Sequence, residues 1–390
     1  MARVTRVNAS LLALFVAALA ACTSPAPQAK VPTQQRPSPP APTPHTRTPA
    51  LPPPSSPTPA QVEMVTPAPS IPPSSELPFP ANIRIAYSHA LTAPLYVIRE
   101  DGTELFAIAG LGQAVDCGVF PAWSPDGTRL AFQCYDAATG NADIYESDLT
   151  GSVITRLTTS ESFDTQPVWS PDGWSIAFRS QPTPYGWNLL VLDLSLSRVT
   201  TVATVPPNET GATDAAFDWS PDGQRLVFYD SSEGARIYVV NADATGKVRL
   251  LPTYAADPDW SPLDDRIAYV GEDGIRILGL ADHRDVLALP GVGLGSPKWS
   301  PDGLNIAATE FSEDGGLLLY QVETHTNRKA LAGTHILSYC WAPDSVRIAF
   351  VGSDGDPPTW SIYLLDIRNG DLAWVAPIDP YVFDDIACQP

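Results

Sequence analysis

The pentapeptide Trp169-Ser170-Pro171-Asp172-Gly173 recurs along the chain and decides its fold. Four complete copies begin at Trp123, Trp169, Trp219 and Trp299. Two degenerate copies begin at Trp260 and Trp341, so the successive intervals are 46, 50, 41, 39 and 42 residues. A period of about 40–45 residues is that of a propeller blade with four strands.

The motif has the composition of a tight hairpin turn. Serine, proline and aspartate favour the first three positions of a type I turn, and glycine accepts the positive φ that follows. A short β-rich run follows each copy, such as Leu130-Ala131-Phe132, and further runs such as Ile144-Tyr145 come about ten residues later. No segment has helical periodicity, so the predicted fold class is all-β.

The repeat predicts seven blades, although only six tryptophan motifs are present. The extra second strand is Ile85-Ala86-Tyr87, which has no first strand before it. Residues 384–390 resemble residues 214–219, the first strand of another blade, and then stop. A C-terminal strand beside three N-terminal strands closes the ring and leaves no open sheet edge. Six blades is the alternative, with the first segment as a cap.

These motifs resemble the TolB-type, WD-like propeller repeat over nearly all of residues 82–390. The resemblance implies a β-propeller, and such rings commonly use a face to bind protein partners. The chain departs from the pattern where glycine is lost, at Asp264-Asp265 and at Ser345, where looser turns are expected. TolB has an additional α/β domain before its propeller, and a proline-rich stretch stands in that place here. The role of TolB itself therefore does not carry over.

The N-terminal residues have the pattern of an export signal. Arg3 and Arg6 precede an apolar run over 9–20, which is shorter than the ~20 residues that span a bilayer. The run ends in Leu19-Ala20-Ala21-Cys22, which resembles the lipobox of bacterial lipoproteins. The resemblance implies a signal peptide over 1–21, cleavage before Cys22, and acylation of that cysteine. An ordinary signal peptide with a chance cysteine is the alternative.

Residues 22–80 have the composition of a disordered tether. Twenty of the 42 prolines fall between residues 23 and 80, with few large apolar side chains among them. In a polyproline II conformation this stretch would reach up to roughly 180 Å. A proline-rich ligand for a partner domain is the alternative interpretation. The propeller domain is assigned to residues 81–390.

Charge and motifs exclude several classes of function. The chain has 43 acidic against 23 basic residues and a formal net charge of −20, so a phosphate backbone would be repelled and nucleic-acid binding is not expected. No Gly-x-Ser-x-Gly motif and no Gly-rich phosphate loop occurs. We therefore predict a protein that is not an enzyme and that needs no cofactor.

Histidines and the motif aspartates give no metal site by spacing. The histidines outside the tether are His89, His283, His325 and His335. None lies at ligand spacing from another, and we predict no metal. The motif aspartates are interpreted as turn residues, and the motif tryptophans as packing between neighbouring blades.

Five other aspartates predict a ligand site at the mouth of the central channel. Asp164 and Asp214 lie five residues before a motif tryptophan, and Asp384 lies five before Gln389, which occupies the tryptophan position. The predicted set is Asp116, Asp164, Asp214, Asp257 and Asp384. A partial ring of carboxylates would attract a cationic ligand. The alternative is that these aspartates cap local turns.

Two disulfides are candidates in an oxidising compartment. Cys117 and Cys134 flank the Trp123 hairpin at nearly equal distances. Cys340 and Cys388 occupy the same repeat position in neighbouring blades, where a bond would clamp the ring closure. Buried free thiols are the alternative.

The sequence thus predicts a non-catalytic lipoprotein of the cell envelope whose propeller binds or scaffolds a partner. The expected partner is a protein or peptide, with a cationic group at the channel mouth, and the expected membrane contact is the lipid anchor. The predicted location is the cell membrane or outer membrane, facing the periplasm or the exterior. The alternative is an enzyme acting on extracellular polymers, or a carbohydrate-binding propeller, with its site in the central channel.

Overall fold

The structure, a computed structural model, describes residues 83–88, 94–108, 115–151, 153–182, 186–206, 216–232, 234–312, 315–353, 359–378 and 386–390. Strands and turns account for this part of the chain, which contains no helix. Accordingly, the described residues include no helical segment able to cross a bilayer. The signal peptide, Cys22 and the tether lie outside the described residues.

In the described ranges, 28 strands form seven antiparallel sheets of four strands each. Blade 1 contains, from the inside outwards, β28 (Ile386–Cys388), β1 (Arg84–Ser88), β2 (Leu95–Arg99) and β3 (Glu104–Ile108). Blade 2 contains β4 (Val115–Trp123), β5 (Arg129–Asp136), β6 (Asn141–Asp148) and β7 (Ile154–Arg156). Blade 3 contains β8 (Phe163–Trp169), β9 (Ser175–Gln181), β10 (Trp187–Asp193) and β11 (Arg198–Val205).

The other four blades follow in chain order. Blade 4 contains β12 (Phe217–Trp219), β13 (Arg225–Asp230), β14 (Arg236–Asn241) and β15 (Val248–Arg249). Blade 5 contains β16 (Ala256–Trp260), β17 (Arg266–Gly271), β18 (Gly274–Gly279) and β19 (Asp285–Pro290). Blade 6 contains β20 (Leu294–Trp299), β21 (Asn305–Glu310), β22 (Gly316–Gln321) and β23 (Thr326–Ala332). Blade 7 contains β24 (His335–Trp341), β25 (Arg347–Ser353), β26 (Trp360–Asp366) and β27 (Leu372–Ile378).

The predicted all-β, seven-bladed propeller is confirmed, and the six-bladed alternative is wrong. The C-terminal strand β28 pairs with β1, with Cys388 opposite Ile85 and Ile386 opposite Tyr87. One blade is therefore built from both ends of the described chain, as the repeat count predicts. This pairing supplies the inner strand that the first blade lacks.

Side chains reinforce this closure on both sides of β28. The indole N–H of Trp123 donates to the Ala387 carbonyl at 3.2 Å, and the Gln389 side chain donates to the Gly127 carbonyl at 2.6 Å. Between blades 7 and 1, Arg347 Nη1 lies 2.6 Å from Glu100 Oε2, and both side chains are buried. Blade 1 is thus held by polar bonds to both of its neighbours.

The repeated turn explains the motif residue by residue. The Ser170 hydroxyl donates to Asp172 at 2.6 Å and accepts the Ser175 N–H at 2.9 Å. Gly173 takes a φ of 72°, which glycine adopts without steric cost. The other three complete copies make the same serine–aspartate bond. In the degenerate copy of blade 7, Ser345 adopts a φ of 61° in place of glycine.

The motif tryptophans are buried where adjacent blades meet. Trp169 is 6% exposed, and its indole N–H donates to the Ala122 carbonyl of the preceding blade at 3.1 Å. The guanidinium of Arg129 lies 4.4 Å from the centre of the same ring, a cation–π geometry. Trp219 and Trp341 make the same bond to the preceding blade, so the motif helps to fix the packing of the blades around the axis.

Candidate functional site: the central channel

The inner strands of all seven blades line a central channel with a cavity of about 490 Å³. Each blade contributes the residue directly before its tryptophan position. These seven residues are Ala122, Val168, Asp218, Asp259, Lys298, Cys340 and Cys388. Because one repeat position supplies one residue per blade, they form a single layer of the channel wall.

A second layer comes from the residues three before the tryptophan, where four inner strands are bulged. Phe120, Gln166, Asp257 and Ser296 have φ between 45° and 54°, and each is followed by a proline. Residues other than glycine are uncommon at positive φ, and bulges redirect side chains near functional sites. Proline is tolerated here because the inner strand is a sheet edge. All four residues line the channel cavity.

The channel wall is asymmetric in chemistry. Its charged side chains among the described residues are Asp218 in blade 4, Asp257 and Asp259 in blade 5, and Lys298 in blade 6. The opposite side is formed by Phe120, prolines, alanines and the cysteine pair of blades 7 and 1. One half of the channel is therefore acidic and the other half is mainly apolar.

Asp218 is held by two main-chain hydrogen bonds. Its Oδ1 accepts the N–H of Trp219 at 2.8 Å, and its Oδ2 accepts the N–H of Trp260 in the next blade at 2.8 Å. Burial raises the pKa of Asp218 to about 6, although both N–H groups oppose the shift. Desolvation of the charged form outweighs the hydrogen bonds that favour it.

Asp259 repeats this arrangement one blade further round. Its Oδ2 accepts the N–H of Trp299 at 2.7 Å. Burial raises the pKa of Asp259 well above its usual range, and the nearby charge of Asp218 raises it further. The two carboxylates therefore repel each other in a partly desolvated wall, and a bound cation would relieve that repulsion.

Lys298 supplies the one basic side chain among the described channel residues. Its Nζ donates to the Tyr339 carbonyl at 2.8 Å and lies 5.2 Å from the centre of the Tyr339 ring. The positive charge of Lys298 opposes the raised pKa of both Asp218 and Asp259 without cancelling it. The ammonium is therefore partly engaged by blade 7.

Two of the motif tryptophans have an indole N–H group with no acceptor in the part of the chain that the structure describes. Trp169, Trp219 and Trp341 each donate to the carbonyl of the wall residue in the preceding blade. By contrast, the indole N–H groups of Trp260 and Trp299, both at least nine-tenths buried, have no hydrogen-bond acceptor among the described residues. Buried donors are usually satisfied. Two buried donors therefore lie unpaired behind the acidic half of the channel wall.

The structure distributes the five predicted aspartates differently from the sequence. Asp257 lines the channel. Asp164 does not: it is 1% exposed, and its Oδ2 accepts the Ser160 hydroxyl at 3.0 Å. The bulge between Thr165 and Val168 separates it from the channel-lining part of β8. The backbone of Asp116 pairs with Tyr135 in β4–β5, whereas Asp214 and Asp384 lie outside the described residues.

Both cysteine pairs are joined in the structure. The Sγ atoms of Cys117 and Cys134 form a disulfide across the β4–β5 hairpin, where the two residues are direct partners. Cys340 and Cys388 form a second disulfide, which links blade 7 to the C-terminal strand and lines the channel. Ring closure is therefore covalent as well as hydrogen-bonded.

The described histidines are spread over separate turns and strands. His283 and His325 lie in the outer turns of blades 5 and 6 at positive φ, and His335 is exposed at the start of β24. His89 lies outside the described residues. In the ranges that the structure describes, no three His, Cys, Asp or Glu side chains are grouped as metal ligands.

Sequence reasoning missed the charged wall residues Asp218, Asp259 and Lys298. A signal was present, because three successive blades carry a charged residue directly before the tryptophan, where other blades carry alanine, valine or cysteine. The bulge that turns this position into the channel cannot be read from the motif, since it depends on the backbone at residues such as Asp257.

Comparisons with known proteins agree with this architecture. Residues 107–200 match the family model of the TolB beta propeller domain. TolB from Acinetobacter baumannii is similar with a TM-score of 0.52 and 16% identity, over 78% of this chain and 66% of that chain. An oligogalacturonate lyase in complex with manganese is similar with a TM-score of 0.55 and 19% identity, over 78% and 86% of the two chains.

Peptidases with propellers are similar as well. A prolyl endopeptidase has a TM-score of 0.57 and 16% identity, over 76% of this chain and 50% of that chain. No curated protein matches the chain in sequence. This chain spans just under two thirds of the TolB structure and half of the endopeptidase. At these identities the similarity concerns the fold alone. The fold of this chain is a TolB-like β-propeller with seven blades.

Proposed function

We propose that the protein is a non-catalytic lipoprotein of the cell envelope whose propeller binds a partner protein or peptide at its central channel. The observation that carries the proposal is the acidic half of the channel wall, formed by Asp218, Asp257 and Asp259. A partly desolvated carboxylate pair with raised pKa favours a cationic group beside it. The partner therefore presents a basic side chain or an amino terminus to the channel.

The two halves of the channel fit a peptide better than a bare ion. Phe120 and the prolines of the opposite wall offer apolar contact, and aromatic anchors dominate protein interfaces. The net charge of −20 steers a basic partner toward the ring.

The location follows from the N-terminal sequence. Acylation of Cys22 anchors the chain to the cell membrane or the outer membrane, and residues 23–80 hold the propeller away from the surface. Several acyl chains on one residue bind a bilayer firmly, whereas one chain is marginal. The propeller then faces the periplasm or the cell exterior.

A polymer-acting enzyme or a carbohydrate-binding propeller is the competing interpretation, and the lyase similarity concerns the fold alone. Catalysis requires a convergent acid, base or metal site. The described channel offers three carboxylates, each of which accepts a main-chain N–H group. This arrangement supports binding of a cation more directly than proton transfer.

Affinity capture from native membranes tests the proposal. The full-length chain and its Asp257→Asn variant are used as baits, and captured proteins are identified by mass spectrometry. Asparagine tolerates the positive φ of this site, so the variant removes charge and keeps the backbone. Asp164→Asn is the matched control, because that carboxylate lies away from the channel. A basic partner captured by the wild type and the control but not by Asp257→Asn is expected; equal capture by all three contradicts the proposal.

A further inference from the structure

A second cavity, of about 340 Å³, lies between blades 5 and 6 beside the Ser261-Pro262-Leu263-Asp264 turn. It opens where β18 ends in Gly279, opposite Arg266. The equivalent positions of the other blades are Arg99, Asp148, Asp193, Asn241, Gln321 and Asp366. Blade 5 alone among the seven described blades lacks a side chain there. A Cβ at Gly279 would lie 2.3 Å from Asp282 Oδ1, so a larger residue requires that neighbour to move.

Hydrogen-bonding groups converge on this space. The Tyr320 hydroxyl lies 2.8 Å from His325 Nδ1. Burial raises the pKa of Tyr320, and the charges that act on its hydroxyl are the guanidinium groups of Arg266 and Arg284, which oppose the shift. The two guanidinium groups therefore make the electrostatic potential at the Tyr320 hydroxyl more positive, although the protein as a whole carries a net charge of −20.

The carboxylates that line the cavity are already occupied. Asp264 pairs with Arg266 at 2.8 Å, and Asp265 pairs with Arg225 at 2.6 Å. Asp282 accepts the main-chain N–H of Arg284 at 3.0 Å. The exposed guanidinium of Arg284 has no carboxylate partner among the described residues. It remains free to bind an anion from solution.

We propose that this cavity binds an organic oxyanion, with its carboxylate or phosphate group beside Arg284 and the Tyr320–His325 pair. Ile277, Val286 and Val322 form an apolar wall for the rest of the ligand. Arginine binds carboxylate and phosphate oxygens through paired N–H groups. The other six blades form with a larger residue at the position of Gly279, and the Arg284 side chain is exposed. The propeller fold therefore requires neither residue. This site is independent of the channel and of its partner.

The repeat supplies a matched control. Arg198 lies opposite Asp193 in blade 3 as Arg284 lies opposite Gly279 in blade 5, and each arginine lines the groove beside the outer strand of its blade. In blade 3 the charge of Arg198 acts on the Asp193 carboxylate, whereas in blade 5 the opposite residue has no side chain. A general attraction of anions to exposed arginines would affect both positions alike, whereas a built site involves Arg284 alone.

Calorimetric titration of the full-length chain tests the proposal with three probes: benzoate, phenyl phosphate and neutral benzamide. We expect saturable binding of at least one of the two anions and no binding of benzamide. The anion that binds more tightly identifies the oxyanion class. Arg284→Gln should weaken that binding about tenfold, as loss of a charged hydrogen bond does. Tyr320→Phe should weaken it as well, and Arg198→Gln should leave it unchanged.

Three results would overturn the proposal. The first is that benzamide binds as tightly as the anions, and the second is that Arg198→Gln and Arg284→Gln have equal effects. The third is that neither anion shows saturable binding at concentrations up to about 10 mM, because a Kd above that value is too weak for a specific site of this kind. Thermal melting of each variant checks that the exposed substitutions leave the propeller folded.

Discussion

The carboxylate of Asp218 in blade 4 accepts the main-chain N–H of Trp260 in blade 5 at 2.8 Å. Asp259 makes the same bond to Trp299 one blade further on. Each carboxylate therefore ties its inner strand to the next one while it lines the channel. The charge of the channel and the packing of blades 4, 5 and 6 depend on the same two side chains.

This relationship predicts how stability depends on pH. The pKa of Asp218 is raised to about 6, so the folded state binds more protons than the unfolded state between about pH 4 and pH 6. Stability contributed by these aspartates falls as pH rises through that window. Asp259→Asn removes one titrating group and keeps an acceptor for Trp299. The variant should lose less stability between pH 5 and pH 8 than the wild type, because burial and the charge of Asp218 raise the pKa of Asp259.

Urea unfolding at both pH values measures this difference. Asp126→Asn is the control, because hydrogen bonds from Ser124 and Thr128 lower the pKa of Asp126 to about 2. That group is ionised at both pH values, so its variant should change stability equally at pH 5 and pH 8. If the wild type and Asp259→Asn have parallel pH dependence, Asp259 does not titrate between pH 5 and pH 8.

The buried ion pair at the ring closure predicts that replacing Arg347 with an uncharged residue greatly lowers the free energy of unfolding. Arg347→Met removes the guanidinium that lies 2.6 Å from Glu100, whose side chain is 0% exposed, and removing one partner of a buried ion pair costs about 3–5 kcal/mol. Lys329→Met is the comparison, because its pair with Glu310 is partly exposed and such pairs contribute about 1 kcal/mol or less. Adding Glu100→Gln should recover much of the Arg347→Met loss in urea unfolding. Equal losses for Arg347→Met and Lys329→Met would mean that the seam pair is unimportant.

The C-terminal strand predicts a second effect at the same seam. Deleting residues 386–390 removes the partner of β1 and exposes its edge, so the protein should aggregate or melt at a lower temperature. Cys340→Ala with Cys388→Ala keeps the strand and removes the disulfide, which closes a separation of 48 residues and contributes at most about 4 kcal/mol. The double variant should stay soluble, whereas the truncated chain should not. Full solubility of the truncated chain would contradict the closure.

The fold could be predicted because its signal is local and repeated. Each Ser-Pro-Asp-Gly turn is determined by its own residues, as the Ser170–Asp172 bond shows. The closure could be predicted because residues 384–390 complete a blade that Ile85 begins without a first strand.

The channel could be predicted only in part. Counting five residues back from the tryptophan predicts Asp164 at the mouth, whereas the structure buries that side chain beside Ser160. In β16 the bulge includes Asp257, which lines the channel together with Asp259. A fixed count cannot detect an inserted residue, because each bulge changes which side chains face the axis.

The lipid anchor is tested by one substitution. Cys22→Ser should abolish labelling by a fatty-acid probe and release the protein from the membrane fraction, because the acylated residue is lost. Cys340→Ala with Cys388→Ala is the control, since those cysteines are joined inside the propeller and their variant should remain labelled. A Cys22→Ser protein that stays in the membrane fraction would contradict the lipoprotein assignment.

Photo-crosslinking from the channel tests the central claim most directly. A benzophenone amino acid replaces Phe120, which lines the channel, or Trp174, which is 64% exposed and is not among the residues that line the channel. Covalent products are measured in the native envelope at ionic strengths from about 50 to about 500 mM. We predict a product from position 120 and not from 174, declining with salt and reduced about fivefold by Asp257→Asn, the effect of about 1 kcal/mol of Coulomb attraction. A product that forms equally at both positions, or that is insensitive to both salt and Asp257→Asn, would contradict an acidic channel that binds a cationic partner.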